Sequence, residues 1–273
     1  MFLPPFNGRR GFMTASVFNY SETYKVRSYE TDMNACVTIQ SIVNYLQNSG
    51  FNHALVLRKA GGLSHDPHTA YFLTRQRVKM FRYPKWQETI TLNTWLEPRV
   101  REYAVREFEL LDEEGNIIGC ATNSAVFYHL GEKRVIPAWE RMERVAEPER
   151  GRALDDPFDP LPRPSKAEFS SEFRIRIADI DMYRHVNNMM YVEWAIETLP
   201  DQVWEDCTLF DHEINFRSET SPGDVIVAEA EEVEGGDMRV FLHRLTRRSD
   251  GKEVALLRTW WEKGKKQEGL WKR

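Results

Sequence analysis

One pattern occurs twice in this chain, and it restricts the possible folds more than any other feature. Residues 22–60 contain YKVRSYETDMNACVTIQSIVNYLQNSG, which reads as a strand, a short turn bearing Asp, and then a helix. Residues 172–200 contain FRIRIADIDMYRHVNNMMYVEWAIETLP, which reads the same way. Asp32 and Met33 correspond to Asp181 and Met182 at an offset of 149 (181 − 32), and the turn glycines Gly115 and Gly251 correspond at 136 (251 − 115). The difference of 13 (149 − 136) falls between helix and sheet, where the first copy carries the extra stretch GGLSHDPHTAYF. Loops absorb such insertions at small entropic cost. Agreement in both order and spacing predicts a duplicated structural unit.

Each copy combines one apolar helix with alternating strands. In the first helix Ile39, Ile42, Val43, Leu46 and Gly50 recur at helical spacing. In the second, Val186, Met189, Met190, Val192, Trp194, Ile196 and Leu199 leave little polar face beyond Glu193 and Glu197, so it must be covered on most sides. Alternating segments follow: TITLNTW, YAVREFELL and IGCATNSAVFYH, then DVIVAEAEEV, RVFLHRLTRR and EVALLRTWWEK. Glycine turns punctuate them as hairpins. A helix followed by an antiparallel meander, twice, predicts an α+β chain of two tandem hotdog domains, each an antiparallel sheet wrapped around a long central helix. The expected units are 13–145 and 170–265. The segment 146–169, with its five prolines, is expected to be a semi-rigid, extended linker.

Composition removes other classes. The 273 residues are 41% hydrophobic and 29% charged, with eight Trp to fill a core, and no apolar stretch approaches the length of a membrane span. A net charge of −5 argues against wholesale nucleic-acid binding. Cys36, Cys120 and Cys207 have neither metal-ligand nor disulfide-framework spacing, and the opening MFLPPFNGRRGF lacks the apolar core of a signal peptide. The expectation is a reducing, cytoplasmic location. The seven His show no metal spacing and no Gly-rich phosphate loop occurs, so neither metal nor cofactor is expected.

Chemistry concentrates in ADIDMYRHVNNMMYVEW. Asp179, Asp181, His185, Asn187 and Asn188 crowd the junction between a strand and the second helix. Helix capping alone accounts for Asn and Asp there. The same junction also gathers unpaired N–H donors and positive partial charge, which polarise a carbonyl and stabilise an oxyanion. His185 beside Asp181 adds a group that exchanges protons near neutral pH. A second acid, Glu219, sits in HEINFRSETSPGD, while the matching position of the first copy is Tyr83 (219 − 136), so the fold does not demand an acid there.

These segments resemble the acyl-ACP thioesterases of plants and bacteria. The family motif Asp-x-Asn-x-His-Val-Asn-Asn is similar to Asp181-Met-Tyr183-Arg-His185-Val-Asn187-Asn188, and its later aromatic-Arg-x-Glu is similar to Phe216-Arg217-Ser218-Glu219. The likeness runs from about residue 22 to 262. It implies hydrolysis of fatty acyl thioesters of acyl carrier protein, with Asp181, His185 and Glu219 catalytic in the second hotdog and the acyl pocket in the first. Tyr183 stands where the family has Asn; its hydroxyl can hydrogen-bond water or substrate, which keeps it among the catalytic candidates, but a phenol cannot occupy the amide's position, and Asn34 is the matching residue of the first copy. Val43, Leu46 and Asn187 are candidate substrate contacts. An acidic carrier calls for a basic face, for which Arg75, Arg77, Lys79 and Arg82, or Arg244, Arg247 and Arg248, are candidates. The same fold serves acyl-CoA thioesterases, 3-hydroxyacyl dehydratases and non-catalytic acyl-binding modules, and the fused chain could be a monomer or a homodimer.

Overall fold

The computed structural model describes residues 17–63, 66–100, 102–142 and 150–264. The first copy runs β1 (Asn19–Lys25), α1 (Ile39–Lys59), β2 (Thr69–Met80), β3 (Thr89–Val100), β4 (Tyr103–Leu111) and β5 (Ile117–His129), with short β6 (Arg134–Ile136) and α2 (Ala138–Arg141) appended. The second runs β7 (Phe169–Arg174), α3 (Asn188–Ile196), α4 (Asp201–Asp206), β8 (Cys207–Phe216), β9 (Val225–Val233), β10 (Met238–Arg247) and β11 (Lys252–Lys263). The strands form one antiparallel sheet in the order β1-β3-β4-β5-β2-β8-β11-β10-β9-β7. Read outward from the centre, the two halves have the same connectivity, so the α+β duplication holds strand by strand.

The halves join through β2 and β8, which the sequence pattern had not placed at a junction. Their register pairs Arg75 with Asn215, Arg77 with Glu213 and Lys79 with Asp211. Glu213 follows Arg77 by 136 positions (213 − 77), the repeat offset itself, so the pseudo-two-fold axis relating the copies passes through that rung.

The helices differ. α1 spans 21 residues and buries Ile39, Ile42, Val43, Tyr45, Leu46, Ser49, His53 and Leu57. α3 has only nine, shorter than the long helix expected. Pro200 disfavours helical backbone at Leu199, and the Thr198 hydroxyl donates to the Trp194 carbonyl at 2.8 Å. The extra length of the first copy is therefore not a loop alone: α1 runs to Lys59, and Thr69 to Phe72, read as loop, begin β2. The apolar core gathers Ile42, Leu46 and Phe108 with Met190, Ile196 and Phe241 in one cluster that crosses the seam.

The segment from residue 150 onward is extended, as expected, but it is strapped to the outer face of the sheet. Arg152 donates to Glu107 on β4 at 3.0 Å, the Asp159 carbonyl accepts from Arg75 on β2, and Ser165 hydrogen-bonds Glu231 on β9 at 2.7 Å. Beneath it lies a belt of ion pairs, Arg75 with Glu213 and Arg77 with Asp211 at 2.8 Å. Arg75 is 5% exposed and Arg77 is partly buried, so the arginines of β2 are at least partly covered. No helix among the described residues is long and apolar enough to cross a membrane.

Candidate active site

Each helix is entered through the same hairpin. Asp181 Oδ1 accepts the backbone N–H groups of Tyr183 (2.8 Å) and His185 (3.2 Å), and Asp32 Oδ1 accepts those of Asn34 (2.8 Å) and Cys36 (3.0 Å). Both hairpins close on one bridge, Ile180 with Val186 and Thr31 with Val37. Both place a non-glycine residue in the left-handed region, Arg184 (φ 65°) and Ala35 (φ 58°). The carboxylate at 181 is thus a turn-former. Among the described residues it makes no hydrogen bond to the His185 ring, which is exposed.

Asn187 has two contacts. Its side-chain oxygen caps α3 by accepting from the Met189 N–H at 3.1 Å, and its amide nitrogen lies 3.5 Å from Asn44 Oδ1 on α1. Tyr183 likewise reaches the first copy, its ring 5.1 Å from that of Phe51. Burial, and then the charge of Asp181, pushes its phenol pKa up. The hairpin of the second copy therefore rests on the helix of the first. Val43 and Leu46 are 1% and 0% exposed, as core side chains are.

The decisive difference between the copies lies between each hairpin and the loop that follows the seam strand. In the first copy they are zipped together: Val37 N–H donates to the Pro84 carbonyl at 2.8 Å, Trp86 N–H to the Ala35 carbonyl at 2.8 Å, and Cys36 bridges Lys85. At the offsets 149 and 136 the counterparts are Val186 with Thr220, Pro222 with Arg184, and His185 with Ser221. Among the described residues none of these three links forms. Pro222 has no N–H to give. The bonds anchoring the same loop on its other sides survive, Gly223 N–H to the Ile175 carbonyl (3.1 Å) matching Gln87 to Val26 (3.2 Å). The second copy is therefore unzipped only where His185, the Val186 N–H and Glu219 stand.

Glu219 is exposed, on the loop whose links to the hairpin are missing. Its neighbour Thr220 hydrogen-bonds the Tyr191 hydroxyl in the first turn of α3 at 2.8 Å, and its own carbonyl accepts from Arg247 Nη1 at 3.2 Å. Tyr83, its counterpart, fills the same place as a buried strut that donates to the Leu209 carbonyl on β8 at 2.8 Å. The Tyr83 phenol is pushed up by burial, then by Asp211 and Asp32; Asp32 is the counterpart of Asp181. The loop is thus tied to the first turn of α3, and Glu219 and His185 share no direct bond among the described residues.

Sequence reasoning missed the Val186 N–H, Pro222 and the α1 contributors Asn44 and Phe51, and it named Arg247 only as a surface cation. The Pro222 signal was available, since it aligns with Trp86. Most of the basic candidates form ion pairs. Arg82 pairs with Glu88 (2.7 Å), Arg244 with Glu229 (2.8 Å), Arg247 with Asp250 (2.7 Å) and Arg248 with Glu172 (2.8 Å). Arg75 and Arg77 lie under the strap, and Lys79 sits 4.9 Å from the Phe210 ring centroid. Neighbouring carboxylates on the sheet already compensate the arginines. No group of three or more potential metal-ligating side chains occurs among the described residues.

Comparison with known proteins agrees with this architecture. The model of the acyl-ACP thioesterase N-terminal domain matches residues 18–143, and that of the C-terminal domain matches residues 163–263. The chain belongs to the acyl-ACP thioesterase family. It is 26% identical to oleoyl-acyl carrier protein thioesterase 1, chloroplastic, of Arabidopsis thaliana, over 93% of this chain and 79% of that protein. It spans 62–64% of the length of other curated relatives. The 12:0-ACP thioesterase of Umbellularia californica superposes with a TM-score of 0.79 at 23% identity, covering 90% of this chain and 94% of that one. An acyl-ACP thioesterase from Bacteroides thetaiotaomicron gives 0.75 at 18%, covering 91% and 100%. The two structures share the hotdog fold with this chain.

Proposed function

We propose that this thioester hydrolase releases fatty acids from acyl carrier protein in the open lip of its second copy. The observation that supports the proposal is the missing zipper: three backbone links of the first copy have no counterpart in the second, at the hairpin that bears His185 and the loop that bears Glu219.

In this reading the thioester carbonyl enters between the 180–187 hairpin and the loop bearing Glu219. Water attacks the carbonyl carbon and gives its proton to His185 or Glu219. The negative charge that develops on the carbonyl oxygen is held by the N–H groups of Val186 and Asn188, neither of which has a partner among the described residues. Collapse breaks the C–S bond, and the protonated base returns its proton to the departing thiolate. Asp181 acts as a positioning residue through the backbone of His185. Tyr183 closes the lip against Phe51 instead of supplying the amide of the family motif. The acyl chain extends along α1, with Val43 and Leu46 beside it and Asn187 at the crossing between the copies.

We assign the acyl pocket to 13–145, the connection to 146–169 and the reacting groups to 170–265; residues 13–16, 64–65, 101, 143–149 and 265 lie outside the described residues. All three cysteines are buried and none forms a disulfide among the described residues, in keeping with a reducing compartment such as the cytoplasm. Pairing of β2 with β8 inside one chain supports a functional monomer.

His185→Ala should lower kcat for carrier-linked substrate by roughly 10²–10⁴ if the ring transfers a proton in the transition state. Full activity in that variant would remove the ring from the mechanism. A rival route forms an anhydride on Glu219. Single turnover in heavy-oxygen water distinguishes the two, because only the anhydride route can leave label in the Glu219 carboxylate.

A further inference from the structure

The loop that carries Glu219 has lost its backbone links to the hairpin, yet two side chains hold it in a way the first copy does not repeat. Thr220, 8% exposed, shares a hydrogen bond of 2.8 Å with the Tyr191 hydroxyl. The Tyr191 ring is itself fixed by its neighbours Trp194 (5.4 Å between centroids) and Phe216 (5.5 Å). Arg247, at the end of β10, donates from Nη1 to the Glu219 carbonyl at 3.2 Å, while its Nε and Nη2 grip Asp250 at 3.0 and 2.7 Å. The counterparts of Tyr191 and Thr220 are Ile42 (191 − 149) and Pro84 (220 − 136), whose side chains can form no such bond.

The ionic bridge beside the loop is also reversed between the copies. In the first, Arg82 stands within the loop and reaches Glu88 at 2.7 Å and Asp112 at 3.5 Å. The counterpart of Arg82 is Ser218 (218 − 136), and that of Glu88 is Asp224 (224 − 136). In the second copy the cation comes from the strand instead, with Arg247 lying 3.8 Å from Asp224 and 2.7 Å from Asp250. A guanidinium supplied from that side has an N–H left over for the Glu219 carbonyl.

We propose that Tyr191 and Arg247 are positioning residues that brace the peptide unit between Glu219 and Thr220 and so fix where the Glu219 carboxylate stands. The proposal rests on the hydrolase reading, in which Glu219 acts on water. The carboxylate is exposed and makes no hydrogen bond or ion pair among the described residues, so its aim has to come from its backbone. Reacting groups need to be held to within about 0.5 Å, and a misplacement of about 1 Å can cost about 10²-fold in rate. Tyr191 and Arg247 restore that hold from α3 and β10, without the hairpin links that close the first copy.

The test measures kcat and KM for Tyr191→Phe and Arg247→Lys, each made alone and together with Glu219→Gln. The probes are acyl carrier protein charged with a fatty acyl group and the same acyl group on pantetheine alone. Phe keeps the ring, and Lys keeps the charge but not the fork that holds Asp250 and the carbonyl together. Each variant should lower kcat roughly tenfold to a hundredfold on both substrates, with KM changed by less than about threefold. Added to Glu219→Gln, neither should cause a further loss, because the brace acts only through that carboxylate. Should Tyr191→Phe fold poorly, Thr220→Val removes the other end of the same bond, and Thr220→Ser should restore turnover. Arg82→Lys, at the ionic bridge of the first copy, should leave kcat alone. Full turnover in either variant, or an equal loss with and without the Glu219 carboxylate, would overturn the proposal. So would a loss confined to the carrier-linked substrate, which would assign Arg247 to contact with the carrier. A fully active Glu219→Gln enzyme would overturn the role of Glu219 and the brace with it. A wild-type chain that releases no thiol from any carrier-linked substrate would overturn the hydrolase reading, on which the brace rests.

Discussion

Asp181 shows how a residue can belong to a motif and still have a local occupation. Asp32 makes the same two backbone bonds in a hairpin where Cys36 takes the place of His185. Removing either carboxylate should destabilise its hairpin by about 1–2 kcal/mol through lost charge-assisted hydrogen bonds. Only Asp181→Ala should also reduce kcat, because only its hairpin carries the imidazole. Thermal unfolding and turnover measured on the pair of variants would check this; an equal effect of Asp32→Ala on kcat would contradict it. The buried histidines set a separate expectation for pH. Burial lowers His212 and His243 from 6.5 to about 3, as it does His53, where Arg106 adds to the effect. The native state keeps these rings neutral while the unfolded chain takes up protons below about pH 6.5. Stability is therefore fully present above that value and is lost as pH falls towards 3, by at most about 1.4 kcal/mol per pH unit for each ring. Neither nitrogen of His212 has a partner among the described residues. His212→Leu should flatten the pH slope seen in urea unfolding between pH 7 and 5, and an unaltered slope would count against it.

At the scale of elements, the strap and the seam explain what the sequence did and did not disclose. β3, β4, β5, β9, β10 and β11 were legible, because each is rich in apolar and β-branched residues and follows or precedes a turn signal. β2 and β8 were harder to place. Their outward residues are Arg75, Arg77, Asp211 and Glu213, which look like a solvated face until the strap is seen to lie over them. Covering of that kind depends on a distant segment and leaves no local periodicity. The hairpin and Glu219 were legible from residue type, but the open lip emerged only when the two copies could be compared bond by bond. The buried belt also makes a stability prediction. Glu213 is 2% exposed and meets both Arg75 and Arg258, so Glu213→Gln should cost about 3–5 kcal/mol. At about 2–4 °C per kcal/mol for a large domain, Tm should fall by roughly 10 °C. Arg163→Gln, which breaks a more exposed pair with Glu253, should change stability by less than about 1 kcal/mol. Calorimetry on the two variants measures the contrast, and similar shifts would mean that the strap does not exclude water.

For the whole molecule, the rung that pairs Arg77 with Glu213 decides which halves can combine. Residues 1–149 and 150–273 made as separate chains should find each other in a one-to-one complex, detectable by native mass. Either fragment pairing with itself would oppose Arg77 to Arg77 or Glu213 to Glu213 at its centre, and would gather Asp211 and Glu213 from two chains without Arg75 and Arg77. Stable homodimers of either fragment would refute the idea. Opposite signs at a single crossing give an otherwise symmetric joint a direction. Each copy thus carries an address that its own twin cannot read, and the two can lose their resemblance everywhere else and still be found side by side.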